Sequence, residues 1–307
     1  TALLLLASLF ATAQWTPTNG PRSLLTATDI GRLDGYLVAA QTCGVFVADT
    51  SLVWRPVGFD QHGNFTCHAI YDGELFMGGP IGAYRLSHNS GQFQVNNAIS
   101  YGTRVTDMHA DSQALHVTML SSGFGIYRTG MSYIPQNAGL PSDTISMPVP
   151  PYYRVIYNTY AVMGNALDVF VGTAEGLFRS PKATIAWTPV SSLPLDTVAA
   201  VCSQDSLLFA VVGQALYRST DGGGVWTMQH AFALQPHEID KLQMLNQVLF
   251  LSTHTQGLQI SLDQGQTWTA YNTGLGSSAA HGVASLDGEL YLAAGNGISV
   301  DHGSWAR

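Results

Sequence analysis

The chain has 307 residues, a net charge of −8 and 46% hydrophobic residues, but only 10% charged ones. An average soluble domain carries about 25% charge, so Ser, Thr, Asn, Gln and Gly must cover much of this surface, a style that suits an extracellular β protein. The twelve Lys and Arg form no basic patch, which argues against a nucleic-acid partner, and the Cys and His show no zinc-type spacing.

The chain opens on an apolar run, residues 2–10, followed by Ala11-Thr-Ala13 and Gln14. This pattern resembles the core and cleavage site of a secretory signal peptide, and the run is too short to span a membrane. Residues 1–13 are therefore expected to be a signal-peptide remnant, and 14–307 one folded domain. Three Cys are an odd number for a secreted chain. Cys43 falls in a predicted turn, and Cys67 and Cys202 on predicted inner strands. A Cys43–Cys67 bridge between neighbouring repeats is conceivable, but three small buried hydrophobes are the expectation.

From Trp15 onward the sequence repeats. Aromatic anchors recur at Trp15, Trp54, Phe93, Tyr133, Trp187, Trp226, Trp268 and Trp305, with a period of roughly 40 residues typical of blade or array architectures. Between anchors, one apolar segment is shared: Tyr36–Ala39, Leu75–Gly78, Leu115–Thr118, Val169–Gly172, Leu208–Val211, Leu249–Ser252 and Leu290–Ala293. A short turn and a second segment follow each, as in Gly44–Phe46, Gly176–Phe178 and Gly297–Ser299. β-Branched and aromatic residues between Gly, Asn and Asp turns predict short strands throughout. Leu242–Leu245 has some helical spacing but occupies a strand position of the repeat. Each unit reads as four strands, A to D, with D starting at the anchor. Trp15 supplies a D strand ahead of the first A–B–C group, so the N-terminal strand is expected to latch the last unit.

A phrase precedes three of the anchors: Ser219-x-Asp221-x-Gly223-x-x-Trp226, Ser261-x-Asp263-x-Gly265-x-x-Trp268 and Ser299-x-Asp301-x-Gly303-x-Trp305, the last one residue short. Ser and Asp side chains bind the N–H groups of their own turn, and Gly permits positive φ. The phrase is a structural staple. It is the Asp box, or BNR repeat, and the chain resembles Asp-box propellers of the sialidase superfamily. The resemblance implies an all-β, seven-bladed β-propeller of four-stranded antiparallel blades. It further implies Asp-box turns on one face and binding sites on the opposite face, formed by D–A and B–C loops. Secreted bacterial proteins of this type often carry a C-terminal sorting or anchoring domain.

Sialidases place three arginines on a substrate carboxylate, the first in an Arg-Ile-Pro-like motif, and add a Tyr nucleophile paired with Glu and an Asp acid/base. This chain has no Arg-Ile-Pro. Arg85, Arg128, Arg179 and Arg218 share one repeat position and read as scaffold. Arg22, Arg104 and Arg154 remain near D–A connections, with Asp60, Asp143, Tyr152, Tyr153 and Glu238 as possible companions. The fourth repeat is longer than the others, with its surplus in a Pro- and Tyr-rich D–A loop over 141–154. By repeat position His237, Glu238, Asp240, His254 and His281 fall at the loop face of the sixth and seventh units, where polar lining without a metal is expected.

The sequence thus predicts a secreted or cell-surface, non-enzymatic, monomeric propeller that needs no cofactor. It would bind a glycan or an extracellular protein through Arg22, Arg104, Asp143, Tyr152, Tyr153, Arg154 and Glu238. A sialidase-like glycosidase and a structural module of a larger surface protein are the alternatives.

Overall fold

The computed structural model describes residues 15–18, 20–21, 25–58, 64–100, 102–128, 132–149 and 153–302. Arg22, Asp60, Tyr152, Gly303, Trp305 and segment 1–13 lie outside the described residues. Those described form seven four-stranded antiparallel sheets and one isolated hairpin. Their only helical element is a 3₁₀ turn at Pro236–Glu238, and no helix is long and apolar enough to cross a membrane.

Sheet one contains Ala27–Leu33, Tyr36–Gln41, Gly44–Ala48 and Arg55–Gly58; sheet two Cys67–Tyr71, Glu74–Gly79, Gly82–Asn89 and Gln92–Ser100. Sheet three contains Val105–Ala110, Leu115–Met119, Gly123–Tyr127 and Ile134–Pro135; sheet four Thr159–Gly164, Asp168–Thr173, Gly176–Pro181 and Thr188–Pro189. Sheet five contains Val198–Gln204, Leu207–Val212, Ala215–Ser219 and Thr227–Ala231; sheet six Ile239–Leu245, Val248–Thr253, Leu258–Ser261 and Thr269–Ala270. Sheet seven takes Ala280–Leu286, Glu289–Ala294 and Gly297–Asp301 from the end of the chain and Thr16–Pro17 from its beginning. This is the all-β, seven-bladed pattern that the repeat predicts, and Leu242–Leu245 is strand.

The chain divides into two compact units. One comprises residues 1–65, 88–95 and 237–307; the other comprises 66–87 and 96–236. In the first, sheets six, seven and one pack successively. Trp15, Phe250, Ile260, Val283 and Leu292 fill one interface, and Ile30, Ala39, Leu286 and Tyr291 the next. The hairpin tip 88–95 joins this unit because Tyr36 meets His88 and Phe93 edge-on, each at 5.1 Å between centroids. In the second unit, sheets two to five pack likewise through Phe76 with Leu115, Phe124 with Val169, and Phe170 with Leu208. Second strands are therefore buried on both faces, as in Leu115–Met119 and Asp168–Thr173. That burial is why they read as continuous apolar runs.

Turns follow their chemistry. Asp34-Gly35, Asp72-Gly73 and Asp287-Gly288 have positive φ at both central residues, the two-residue hairpin that matches strand twist. In six sheets the first strand also carries a bulge at its second residue: Thr28, Thr106, Tyr160, Ala199, Asp240 and His281.

Two Ser-x-Asp-x-Gly turns are locked as their residues dictate. Ser219 Oγ accepts the Gly223 N–H at 2.9 Å and donates to Asp221 Oδ1 at 2.7 Å, while Asp221 Oδ1 accepts from the Gly224 and Val225 N–H groups. Ser261, Asp263, Gly265 and Thr267 repeat this arrangement. Gly223 has φ +96, and a Cβ there would lie 2.5 Å from Phe170 Cζ, so both conformation and space require glycine. Trp226 is buried, edge-on to Phe170; Trp268 donates Nε1–H to Gly265 O at 3.2 Å. The third copy differs. Asp301 is a buried strand residue whose carboxylate accepts the Tyr271 hydroxyl, and Ser299 is buried beside it.

The arginines read as scaffold behave so where their contacts are defined. Arg85 pairs with Glu74 at 3.2 Å and Arg179 with Asp168 at 2.6 Å. All three cysteines are free thiols, with Cys67 buried. Sheets three and four enclose a polar cluster in which Asp111 Oδ2 meets His116 Nε2 at 2.9 Å and Lys182 Nζ at 2.6 Å. Burial pushes the Asp111 carboxyl up, but hydrogen bonds from His116, Lys182 and the Gln113 N–H outweigh it and hold the group well below the carboxylate range.

Ser219→Ala strands the Gly223 N–H in a buried turn, so it should lower stability by about 1–2 kcal/mol; urea unfolding should show a lower midpoint at unchanged m. A second expected outcome concerns His109, which stacks on His116 at 6.0 Å. Burial, reinforced by His116 and Lys182, pushes its imidazole from 6.5 down to about 4. The unfolded chain then binds more protons than the folded one across that window, so stability falls as pH drops from 6.5 to 4. Thermal unfolding should register a loss on the order of 2 kcal/mol, and His109→Gln should flatten the slope there. An unchanged slope would contradict the assignment.

Candidate functional site

The antiparallel order of each sheet puts its A–B and C–D turns at one end and its B–C and D–A connections at the other. The locked Ser-x-Asp-x-Gly turns are C–D turns. Of the residues singled out for binding, Arg104, Asp143, Tyr153, Arg154 and Glu238 are described, at or next to the connections of the other end.

The surplus of the fourth repeat is not an irregular loop. It forms a two-stranded hairpin, Asp143–Ser146 with Tyr153–Ile156, whose register pairs Asp143 with Ile156 and Ile145 with Arg154. It is the D–A connection between sheets three and four. The two strands form a sheet of their own, joined to no other described strand. Pleating puts Asp143, Ile145, Arg154 and Ile156 on one face and Thr144, Ser146, Tyr153 and Val155 on the other. Most of these side chains face solvent, with Tyr153 68% exposed, Val155 49% and Ile145 38%, and Val149 in the connection is 61% exposed. With apolar groups exposed on both faces and no further strand pairing among the described residues, this strand pair is not core.

Arg104 is exposed and immediately precedes the first strand of sheet three. Its carbonyl accepts the Leu120 N–H at 2.9 Å. Arg154 is exposed on the hairpin, and among the described residues neither guanidinium makes an ion pair with a carboxylate. Asp143 and Tyr153 share the hairpin with Arg154 but lie at different register positions, Asp143 on the same face and Tyr153 on the opposite one. Glu238 ends the 3₁₀ turn before sheet six. Its Oε1 accepts the Thr255 hydroxyl at 2.9 Å, and its carbonyl accepts the His254 N–H at 2.9 Å.

Those two bonds hold the B–C turn of sheet six against the start of its first strand. There, three side chains expected from the sequence to be scattered lining come together. Asp240 Oδ2 lies 3.1 Å from His281 Nδ1, and Asp240 Oδ1 lies 3.5 Å from His254 Nε2. The imidazole centroids are 5.7 Å apart and tilted by 56°. His237 is exposed and is not one of the three. The structure shows what repeat position alone could not: Asp240 and His281 occupy the same bulge position of successive sheets.

No protein-family model matches the sequence, and no curated protein matches it. Solved structures do share the fold. The extracellular domain of a one-component system from B. thetaiotaomicron superposes with a TM-score of 0.71 at 15% identity, covering 94% of this chain and 39% of that one. The same domain, described within a hybrid two-component system, gives 0.72 at 15% identity with the same coverage. The WD40 β-propeller domain of Doa1 gives 0.69 at 10% identity, covering 94% of this chain and 96% of that one. The chain spans 39% of the length of the B. thetaiotaomicron chains it resembles. At these identities the likeness is one of fold: seven blades of four antiparallel strands, a seven-bladed β-propeller.

Proposed function

We propose that this chain is a secreted, non-enzymatic propeller of the Asp-box type that binds a protein partner through the strand ends bearing its B–C and D–A connections. The observation that carries the reading is the hairpin Asp143–Ile156. Ile145, Val149, Tyr153 and Val155 offer aliphatic and aromatic surface, and among the described residues each strand keeps an unpaired edge to which an extended segment of another chain can add. Exposed aliphatic groups favour a protein over a glycan, which would be gripped mainly by aromatic faces and polar groups. Tyr153 and Arg154 are the side chains to test first, with Asp143 beside them, Tyr152 in the connecting segment and Arg104 in the same unit.

The locked turns at Ser219–Trp226 and Ser261–Trp268 support the Asp-box kinship and, on this reading, act as staples. They also motivate the sialidase-like alternative. Against it stand the absence of an Arg-Ile-Pro motif and, among the described residues, the bond of Glu238 to Thr255. The extracellular setting is supported by the low charged content, the apolar run at 2–10 and the likeness to an extracellular sensor domain. That sensor is far longer than this chain, which suits a propeller deployed as one module of a larger surface protein, working as a monomer.

Extracellular proteins and a glycan array would be screened against wild type and the double variant Tyr153→Ala/Val155→Ser. Both side chains are exposed, so unfolding should shift by no more than about 0.5 kcal/mol. The expected result is a protein ligand whose Kd rises at least about tenfold in the variant. A ligand held equally well by both proteins, or a glycan as the sole ligand, would contradict the reading.

A further inference from the structure

We infer that Asp240, His254 and His281 form a binding site for a single divalent transition-metal ion of the zinc class. One carboxylate oxygen of Asp240 and one ring nitrogen each of His254 and His281 all lie within 4.8 Å of one another. Two imidazole nitrogens and a carboxylate oxygen are a ligand set that zinc and its neighbours accept, at about 2.0–2.2 Å per bond. Tetrahedral ligands at those lengths sit ~3.3 Å apart. Asp240 Oδ2 lies 3.1 Å from His281 Nδ1, already at that spacing, and the other oxygen, Oδ1, lies 3.5 Å from His254 Nε2, so the carboxylate faces both imidazoles. Gathering both imidazoles on one ion takes a turn of the Asp240 carboxylate together with a swing of His254, the most exposed member.

The backbone prepares this arrangement. Asp240 and His281 are the bulge residues of the first strands of sheets six and seven, and a bulge re-aims one side chain relative to the regular ladder. His254 directly follows the second strand of sheet six, and its N–H is tied to Glu238 O. The neighbouring lysine does not compete for the site: Lys241 Nζ pairs with Asp29 Oδ1 at 2.7 Å. His281 and Asp240 are 14% and 21% exposed, and His254 is 45% exposed. The site is therefore walled on the strand side and open on the side of His254. Three protein ligands leave at least one coordination position for water or for an oxygen or nitrogen donor of a bound molecule.

The cluster has no need of the hairpin, so this inference stands apart from the binding reading above. Tag-free full-length chain, stripped with chelator, would be titrated with Zn²⁺ by calorimetry and with Co²⁺ by visible absorption. One ion per chain is expected, with Co²⁺ d–d bands of a nitrogen- and oxygen-ligated site. His254→Ala should weaken Zn²⁺ binding at least tenfold and change those bands, while the circular dichroism of the metal-free protein stays as in wild type. Asp240→Asn should also weaken it, and its loss should abolish the rise in thermal midpoint that Zn²⁺ gives wild type. Wild type that binds no Zn²⁺, or binds it no more tightly than His254→Ala, would overturn the assignment. His254→Ala decides the matter even if Asp240→Asn fails to fold, because its side chain is largely outside the core.

Discussion

Burial of the second strand on both faces is the constraint on which the rest of the structure depends. A strand such as Val248–Thr253 or Leu207–Val212 has no polar face to offer water, so its sheet is stable only with a neighbour against each side. Repetition follows directly, because each added sheet covers one apolar face and presents another. The problem returns at the chain's ends, and in sheet seven it is met by borrowing. Thr16–Pro17 pairs with Ser299 and Val300, and Trp15 is anchored by its Nε1–H to Tyr271 O at 2.7 Å and its N–H to Thr273 O at 3.0 Å. The outer edge of the last sheet is thus closed by residues nearly the whole chain away.

That constraint also separates scaffold from surface. Contacts that repeat from sheet to sheet serve the packing. Asp107 Oδ2 accepts the Val162 N–H at 2.9 Å, and the Gln243 side chain both accepts the Val283 N–H at 2.8 Å and donates to Val283 O at 3.1 Å, so first strands are stitched to their neighbours. The Ser219 and Ser261 turns and the Arg85 and Arg179 ion pairs belong to the same class. What breaks the repeat is free to do something else. The hairpin at 143–156 interrupts the period, and the bulge positions filled elsewhere by Thr28, Thr106 and Ala199 carry Asp240 and His281 in sheets six and seven.

Most of the scaffold was legible because its signals are local and repeated. The apolar run of each second strand and the aromatic at the start of the outer strands recur at near-regular distances, so one clear copy interprets the weaker ones. The outer strand borrowed from Trp15 was legible by the same arithmetic. The hairpin was not: it exposes both faces, so Asp143–Ser146 and Tyr153–Ile156 show no alternation of apolar and polar residues, and the prolines around them read as loop. The third Ser-x-Asp copy looked equivalent to the others, yet Asp301 turns inward to Tyr271, a partner thirty positions away that the motif cannot announce. The Asp240–His254–His281 cluster was hidden for a related reason. Its members come from two repeats and meet through bulges and a tied turn, so no short spacing joins them. Arg22 and Tyr152 fall outside the described residues, and their proposed roles rest on sequence position.

The central claim is that a self-sufficient stack of sheets carries a hairpin that serves contact and not stability. Excising the hairpin tests it most directly. Asp143 and Ile156 are paired partners, so a Gly-Gly link in place of residues 143–156 can bridge the gap, each residue reaching up to about 3.5 Å. The account predicts an unfolding midpoint and m value like those of the full chain. A large loss of stability, or failure to fold, would show that the hairpin belongs to the core and would contradict the account.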